Sequence, residues 1–299
     1  MLWLIAIISA YLLLAVVSLI DRYLLAGKPD PKVYAFYVGL LSLLLLLVIP
    51  FIDFYIPSLF LLALSFLSGA TLIIALFSLY TALEKFEASR IITATGGFIP
   101  IFSFALVWAL PGGEKVLSPF VVVSFVLLVL GSVIITWKRK ALFGRSLKLS
   151  VLVAIFFALS MYLSKQVYNA MPFLNGLILI RISSFLVALF FLFSKETREE
   201  IFQKQETFDK QTGGLFMVNQ AMGGAAVLLQ NWAIALASIS FLPIIHALQG
   251  LEYGFLFVLA VLFSSKFPRL LKEEPTKKVI IKKVVGIALI SIGLAVLAL

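Results

Sequence analysis

Ten apolar segments, each about as long as a membrane span, fill the chain almost from end to end. A helix needs roughly 20 mostly apolar residues to cross the hydrocarbon core of a bilayer. Hydrophobic residues make up 63% of the 299 positions and charged residues only 13%, which a soluble domain could not keep away from water. Backbone groups in lipid must be hydrogen-bonded within the protein, and these runs do not alternate as barrel strands do. We therefore predict an all-α polytopic membrane protein.

Prolines mark several boundaries of these segments. Pro31 and Pro57 stand where a helix is expected to begin and Pro172 opens the seventh segment, because proline suits the first turn of a helix. For the longest loop, Lys195 to Thr212, a short helix on the membrane surface and a solvated loop are both open interpretations. The predicted spans are 2–24, 32–52, 58–82, 88–110, 117–137, 148–168, 172–194, 213–236, 240–263 and 279–298.

The basic residues are distributed unevenly over the loops. The net charge of +10 would suggest a nucleic-acid partner in a soluble protein, but here the lysines and arginines stand beside spans, where they set orientation. The odd-numbered loops and the adjoining helix ends hold 21 of the 24 basic residues. We predict a multi-pass protein of the cell membrane with the odd-numbered loops in the cytoplasm and both termini outside, and we expect no nucleic-acid partner.

The two halves of the sequence match each other in order. Around the third and fourth spans the offset to the second half is 153 residues, and around the first span it is 143. The matched pairs are Ala82 with Ala235, Gly97 with Gly250, Ser124 with Gly286, Gly131 with Gly293, Ala15 with Ala158, and Arg22 with Lys165. An odd number of helices in each half makes the second half enter the membrane from the opposite side, as in secondary transporters. We predict two inverted five-helix repeats, residues 1–140 and 147–299.

The junction between the third and fourth spans also resembles a known family. The stretch from Ala82 to Ile91, followed by Gly97, Pro100 and Phe102, is similar to the corresponding junction in EamA-type members of the drug/metabolite transporter superfamily. The resemblance covers the whole chain. It implies ten helices in two inverted halves and a secondary transporter that exports small organic metabolites, amino-acid-like or drug-like, by alternating access. Many members have both termini inside, and the charge distribution of this chain predicts the opposite.

Two ionisable residues lie deep in the predicted spans, where such groups are costly and mark functional sites. Arg181 stands about 13 Å into the seventh span at 1.5 Å per residue, and Glu252 stands near the middle of the ninth. They either pair with each other as a structural contact or bind a substrate, and a zwitterion would suit both charges. We expect Glu252 to be the proton-coupling group, with His246 as the alternative carrier.

The remaining candidates would line a cavity between the halves. His246, Gln249, Gly250 and Tyr253 recur at the spacing of one helix face on the ninth span. Close helix packing is the alternative role for the glycines, and anchoring at the membrane interface is the alternative role for Trp232. The other cavity candidates are Thr93, Gly97, Tyr80, Asn231 and Trp232.

Several kinds of chemistry are not expected in this chain. A phosphate-binding loop is missing, cysteine does not occur, and the single histidine has no acidic residue at triad spacing, so we expect no enzyme, metal or cofactor. The leading function is a secondary transporter. A flippase for a lipid-linked intermediate on the same fold is the second, and a non-transporting scaffold or membrane enzyme is a third. The expected partners are a small-molecule substrate and the lipid bilayer, and a homodimer is left open.

Overall fold

The computed structural model describes residues 2–24, 31–86, 88–110, 119–136, 144–203, 210–263 and 277–297. Within these ranges the regular structure is helical and there is no strand. The helices are α1 (Leu2–Leu24), α2 (Pro31–Ser42), α3 (Leu59–Lys85), α4 (Ala88–Ala109), α5 (Pro119–Thr136), α6 (Arg145–Ala170), α7 (Phe173–Ala188), α8 (Lys195–Gln203), α9 (Lys210–Leu236), α10 (Leu242–Ala247), α11 (Gly250–Phe263) and α12 (Lys277–Leu297). Three short 3-10 segments adjoin α2, α7 and α10, and they are Leu43–Phe51, Leu189–Phe193 and Ile239–Phe241.

Each of the ten predicted apolar segments coincides with helical structure. Proline begins or precedes the helices as expected, with Pro31 the first residue of α2 and Pro172 the residue before α7. The second and seventh segments finish in tighter 3-10 turns rather than α-helix. The first part of the predicted long loop forms α8, on whose exposed surface Lys195 pairs with Glu199 at 3.7 Å. A short helix is therefore present there, its position on the membrane surface stays a prediction, and residues 204–209 of the loop lie outside the described residues.

Within the described ranges, five helical stretches are long and apolar enough to cross a membrane by length and composition. They are Leu2–Ile20, Leu59–Lys85, Arg145–Ala170, Phe173–Phe193 and Ile239–Leu259. Three shorter apolar stretches are Ala35–Phe51, Ala94–Ala109 and Pro119–Ile134. An all-α membrane-embedded fold fits these helices, and the full number of ten crossings stays a prediction.

The chain divides into two compact units, and each unit takes helices from both halves of the sequence. The first unit contains α1, α5 and α9 to α12. Helix α1 packs on α9 and α11, and α5 packs on α12. A core of Ala15, Leu19 and Leu256, with Phe255 and Leu259 packed against it, joins α1 to α11.

Within the first unit, α5 and α12 contact each other at residues that the sequence repeat pairs. Ser124 Oγ donates to the carbonyl of Gly293 at 2.7 Å. Gly131 lies so close to α12 that a Cβ there would be 2.8 Å from the carbonyl of Gly286. Because Ser124 matches Gly286 and Gly131 matches Gly293, a two-fold axis between the helices would interchange these two contacts.

The second unit contains α2, α3, α4, α6, α7 and α8, and its α6 packs on α3 and α4. Serines join α3 to α6: Ser68 Oγ donates to the carbonyl of Ser160 at 3.1 Å, and Ser160 Oγ donates to the carbonyl of Ser68 at 3.0 Å. The hydroxyls of Ser68 and Ser164 lie 2.7 Å apart. On another side of α3, a Cβ at Gly69 would be 2.6 Å from the backbone nitrogen of Ser184. Small residues therefore hold α3, α6 and α7 close together.

Candidate functional site

The ninth apolar segment is interrupted in the middle. Helix α10 ends at Ala247 and α11 begins at Gly250. Across the break and into the first turn of α11, the amides of Gln249, Leu251 and Glu252 each donate to the carbonyl three residues earlier, at 3.1, 2.9 and 3.1 Å. Such turns advance about 120° per residue instead of the roughly 100° of an α-helix, so they change the direction in which the following side chains point. The predicted face from His246 to Tyr253 assumes one continuous helix, and the helix is interrupted there.

The interruption releases two carbonyl groups, and side chains from other helices bind them. The carbonyls of Ile245 and Ala247 lack their usual amide partners four residues later, because those amides bond elsewhere. The hydroxyl of Tyr11 on α1 donates to the Ile245 carbonyl at 2.8 Å. Ser132 Oγ on α5 donates to the Ala247 carbonyl at 2.7 Å. Both hydrogen bonds are buried, so hydroxyl groups compensate for the lost helical bonds.

Gly250 allows this close approach of α5. A Cβ at Gly250 would overlap Ser132 Oγ and would lie 2.7 Å from Ile290 Cδ1 of α12. Gly250 therefore faces α5 and α12, whereas Gln249 and Tyr253 belong to a different group of side chains, described next. The break thus separates residues that a continuous helix would place on one face.

A polar cluster surrounds Glu252 at the start of α11. Its Oε1 accepts a hydrogen bond from Ser18 Oγ of α1 at 3.4 Å, and the side chain of Gln249 bonds it from the break. Tyr11 and Tyr253 are its aromatic neighbours. We call these five residues the Glu252 cluster. Glu252, Gln249, Tyr253 and Ser18 are each partly exposed, so helix packing does not enclose the cluster completely.

Three members of the cluster, Glu252, Gln249 and Tyr253, are predicted from the sequence. Tyr11 and Ser18 are not. A sequence signal for them exists, because they are polar residues seven positions apart in the mostly apolar middle of α1 and so share one face. The side chain of Gln230 on α9 bonds the Tyr11 hydroxyl and extends the polar surroundings. Polar groups from α1, α9 and α11 therefore meet within the first unit.

The first unit also contains His246, Asn231 and Trp232. His246 is only 7% exposed, and its Nε2 has no hydrogen-bond partner among the residues that the structure describes. Asn231 is buried and donates to the carbonyl of Val227 in its own helix at 2.8 Å. Trp232 is 42% exposed, which fits the alternative role of an anchor at the membrane interface. No group of residues able to hold a metal ion occurs in the described ranges.

Four predicted candidates belong to the second unit. Arg181 is partly exposed on α7, and the electrostatic neighbour that the described residues provide for it is Tyr168 of α6. Gly97 and Tyr80 are half-buried on α4 and α3, and the side chain of Thr93 lies outside the described residues. Since Glu252 and Arg181 belong to different units, their pairing and the cavity between the halves both stay predictions.

Comparison with known proteins establishes the fold and no more. No family model matches the chain, and no curated protein matches it. Among solved structures, the fold is similar to one titled only "Crystal structure of protein", with a TM-score of 0.70. That chain is 15% identical, and the similarity covers 99% of this chain and 97% of the other. At such low identity the likeness concerns the arrangement of helices alone.

Proposed function

We propose that this chain is a secondary transporter of the EamA type, which moves small organic metabolites across the cell membrane by alternating access. The observation that carries the proposal is the Glu252 cluster beside an interrupted span. Acidic residues inside membrane helices are costly and are retained for function. Interrupted helices place substrate and coupling-ion sites near the middle of the membrane in secondary transporters.

The sequence repeat supports a functional role for the cluster. Helix α6 packs on α3 and α4 as α1 packs on α9 and α11, which are the repeat partners of α3 and α4. At the repeat offsets, the counterparts of Tyr11, Ser18 and Glu252 are Ala154, Met161 and Ile99. Apolar residues therefore suffice for the equivalent helix packing, and a requirement of the fold does not explain the polar groups.

The packing also supports the proposed inverted repeats. Each half contributes its first helix to the unit that holds the third and fourth helices of the opposite half, α1 in one case and α6 in the other. The two interchangeable contacts between α5 and α12 fit the same symmetry. On this basis we propose ten spans in two inverted halves, with both termini outside as the charge distribution indicates.

Glu252 is the proposed coupling residue. Its carboxylate accepts hydrogen bonds from Ser18 and Gln249 when ionised, and no lysine or arginine is among the neighbours that the described residues provide. A carboxyl group stabilised by neutral donors can take up and release a proton without breaking an ion pair. We propose that it exchanges a proton against substrate, with buried His246 as the alternative carrier.

Flux measurements on the purified protein in liposomes test the proposed function. Vesicles would be loaded with a mixture of the proteinogenic amino acids and common cationic drugs, and efflux would be followed by mass spectrometry with and without a pH gradient. We expect protein-dependent, saturable efflux of a subset of compounds that the pH gradient accelerates. Efflux of every compound at the rate of protein-free vesicles would contradict the proposal.

A further inference from the structure

The second unit contains a positive charge that its own helices do not balance. Arg181 lies in α7 at the level of Gly69 of α3, because Gly69 contacts the Ile180 carbonyl and Ser184 on either side of it. The acidic residue of α3, Glu84, stands fifteen positions beyond Gly69, or about 22 Å along the helix. Helices α2, α4, α6 and α7 contain no acidic residue at all.

Two further groups of acidic residues fall within the described ranges of this unit, and both are separated from Arg181 along the chain. Asp53 lies beside Asn175, whose side-chain amide donates to its carbonyl at 3.0 Å. Asn175 precedes Arg181 by six residues, about 9 Å of helix. The acidic residues of α8 follow Arg181 by at least fifteen positions. An arginine within a span normally pairs with an acid or faces a ligand, and the residues of this unit that the structure describes do not provide the acid.

The surroundings of Arg181 are suited to an anion. Tyr168 of α6 is its neighbour, and Tyr168 in turn is hydrogen-bonded by the Ser164 side chain. Lys165 stands three residues before Tyr168, on the same side of α6, and is 3% exposed. Ser164 is fixed to α3 by its 2.7 Å contact with Ser68, which places this part of α6 at the level of Gly69 and Arg181. Two cations and a phenol thus occur at one depth of the α6–α7 pair.

We propose that Arg181, with Tyr168 and Lys165 beside it, binds an oxyanion, the carboxylate or phosphoryl group of the transported substrate. Guanidinium binds both groups through two parallel hydrogen bonds. The inference rests on the proposed transport function and deepens it, because it assigns the substrate to the class of organic anions or zwitterions. The partly exposed Arg181 contacts the anion, and Lys165 adds positive potential from the buried side.

Thermal unfolding of the detergent-solubilised full chain tests the site without requiring transport. The probes would be amino acids against their carboxamides, and sugar phosphates against the parent sugars, so that the two arms distinguish a carboxylate from a phosphoryl group. We expect at least one anionic probe to raise the unfolding temperature and its neutral partner to have no effect. If no anionic probe stabilises the protein more than its neutral partner, the proposal is wrong.

Variants separate binding from a purely structural role. Arg181→Gln should weaken the affinity for the stabilising anion at least tenfold, about what a charged hydrogen bond contributes, and Arg181→Lys should weaken it less. Lys195→Gln removes an exposed positive charge of the same unit and should leave binding unchanged. Without ligand, Arg181→Gln should unfold no earlier than wild type, since no buried ion pair is broken. Unchanged affinity in Arg181→Gln, or a large loss of stability without ligand, would overturn the site.

The outcomes also distinguish this proposal from the proposed function. Anion binding that depends on Arg181, together with vesicles that show no flux, would refute transport and keep the site. Flux restricted to neutral or cationic compounds and unaffected by Arg181→Gln would refute the site and keep transport.

Discussion

The hydrogen bond of Ser132 at the break between α10 and α11 allows us to predict how much stability its removal costs. Its hydroxyl donates to the Ala247 carbonyl at 2.7 Å in a buried position, and the amide that would serve this carbonyl in a continuous helix bonds to Leu248 instead. Ser132→Ala therefore leaves a buried carbonyl without a donor, which costs about 1–3 kcal/mol. We expect the free energy of unfolding to fall by about 2 kcal/mol, the middle of that range.

Ser124→Ala is the matched control for this prediction. Ser124 lies on the same helix and donates to the Gly293 carbonyl at the same 2.7 Å, but Gly293 lies within continuous α12, where a helical amide four residues later also serves the carbonyl. Loss of the Ser124 hydrogen bond should lower the free energy of unfolding by only about 0.6 kcal/mol, the average for hydrogen bonds between membrane helices. Denaturation by dodecyl sulfate in mixed micelles, followed by circular dichroism, measures both. Equal losses in the two variants would refute the argument that Ser132 compensates for the break.

Two further predictions concern a glycine contact and the orientation in the membrane. Gly250→Ala should lower the free energy of unfolding by about 1–3 kcal/mol, because the new Cβ would overlap Ser132. The control Gly96→Ala, whose Cβ would have nothing within 4 Å, should be neutral or slightly stabilising. Equal effects of the two substitutions in micelle denaturation would contradict this prediction. A reporter fused after Leu299 should behave as external, because 21 of the 24 basic residues adjoin the odd-numbered loops, and a cytoplasmic signal would reverse the predicted orientation.

The sequence was sufficient to predict the helices because each apolar segment is long and bounded by clear signals. The first span was predicted at 2–24 and forms α1 over Leu2–Leu24, and the third was predicted at 58–82 and forms α3 over Leu59–Lys85. The position at which the second span ends was predicted equally well. Its helix type was not, since the run Leu43–Phe51 is a 3-10 helix instead of an α-helix. Hydrophobicity determines where a helix lies in the chain and does not distinguish i→i+3 from i→i+4 bonding.

The candidate site was predictable only in part, for a related reason. Glu252 was found because a charge inside an apolar run is conspicuous in sequence. The break beside it was missed, because its stability depends on Tyr11 and Ser132, which are more than 100 residues away along the chain. Gly250 was expected to allow a close approach and does, but towards α5 and α12 rather than along a face with Gln249. The sequence around the break does not indicate which distant hydroxyl groups bind its carbonyls.

The central claim is that Glu252 couples a proton gradient to substrate movement, and one substitution tests it most directly. Glu252→Gln keeps the size of the side chain and one acceptor oxygen for Ser18 but cannot ionise. In liposomes the variant should lose flux driven by a pH gradient and retain exchange of substrate at equal concentrations on both sides. The control Glu199→Gln alters an exposed acid of α8 and should behave as wild type. If Glu252→Gln responds to the pH gradient as fully as wild type, Glu252 does not carry the proton and the account of coupling is wrong.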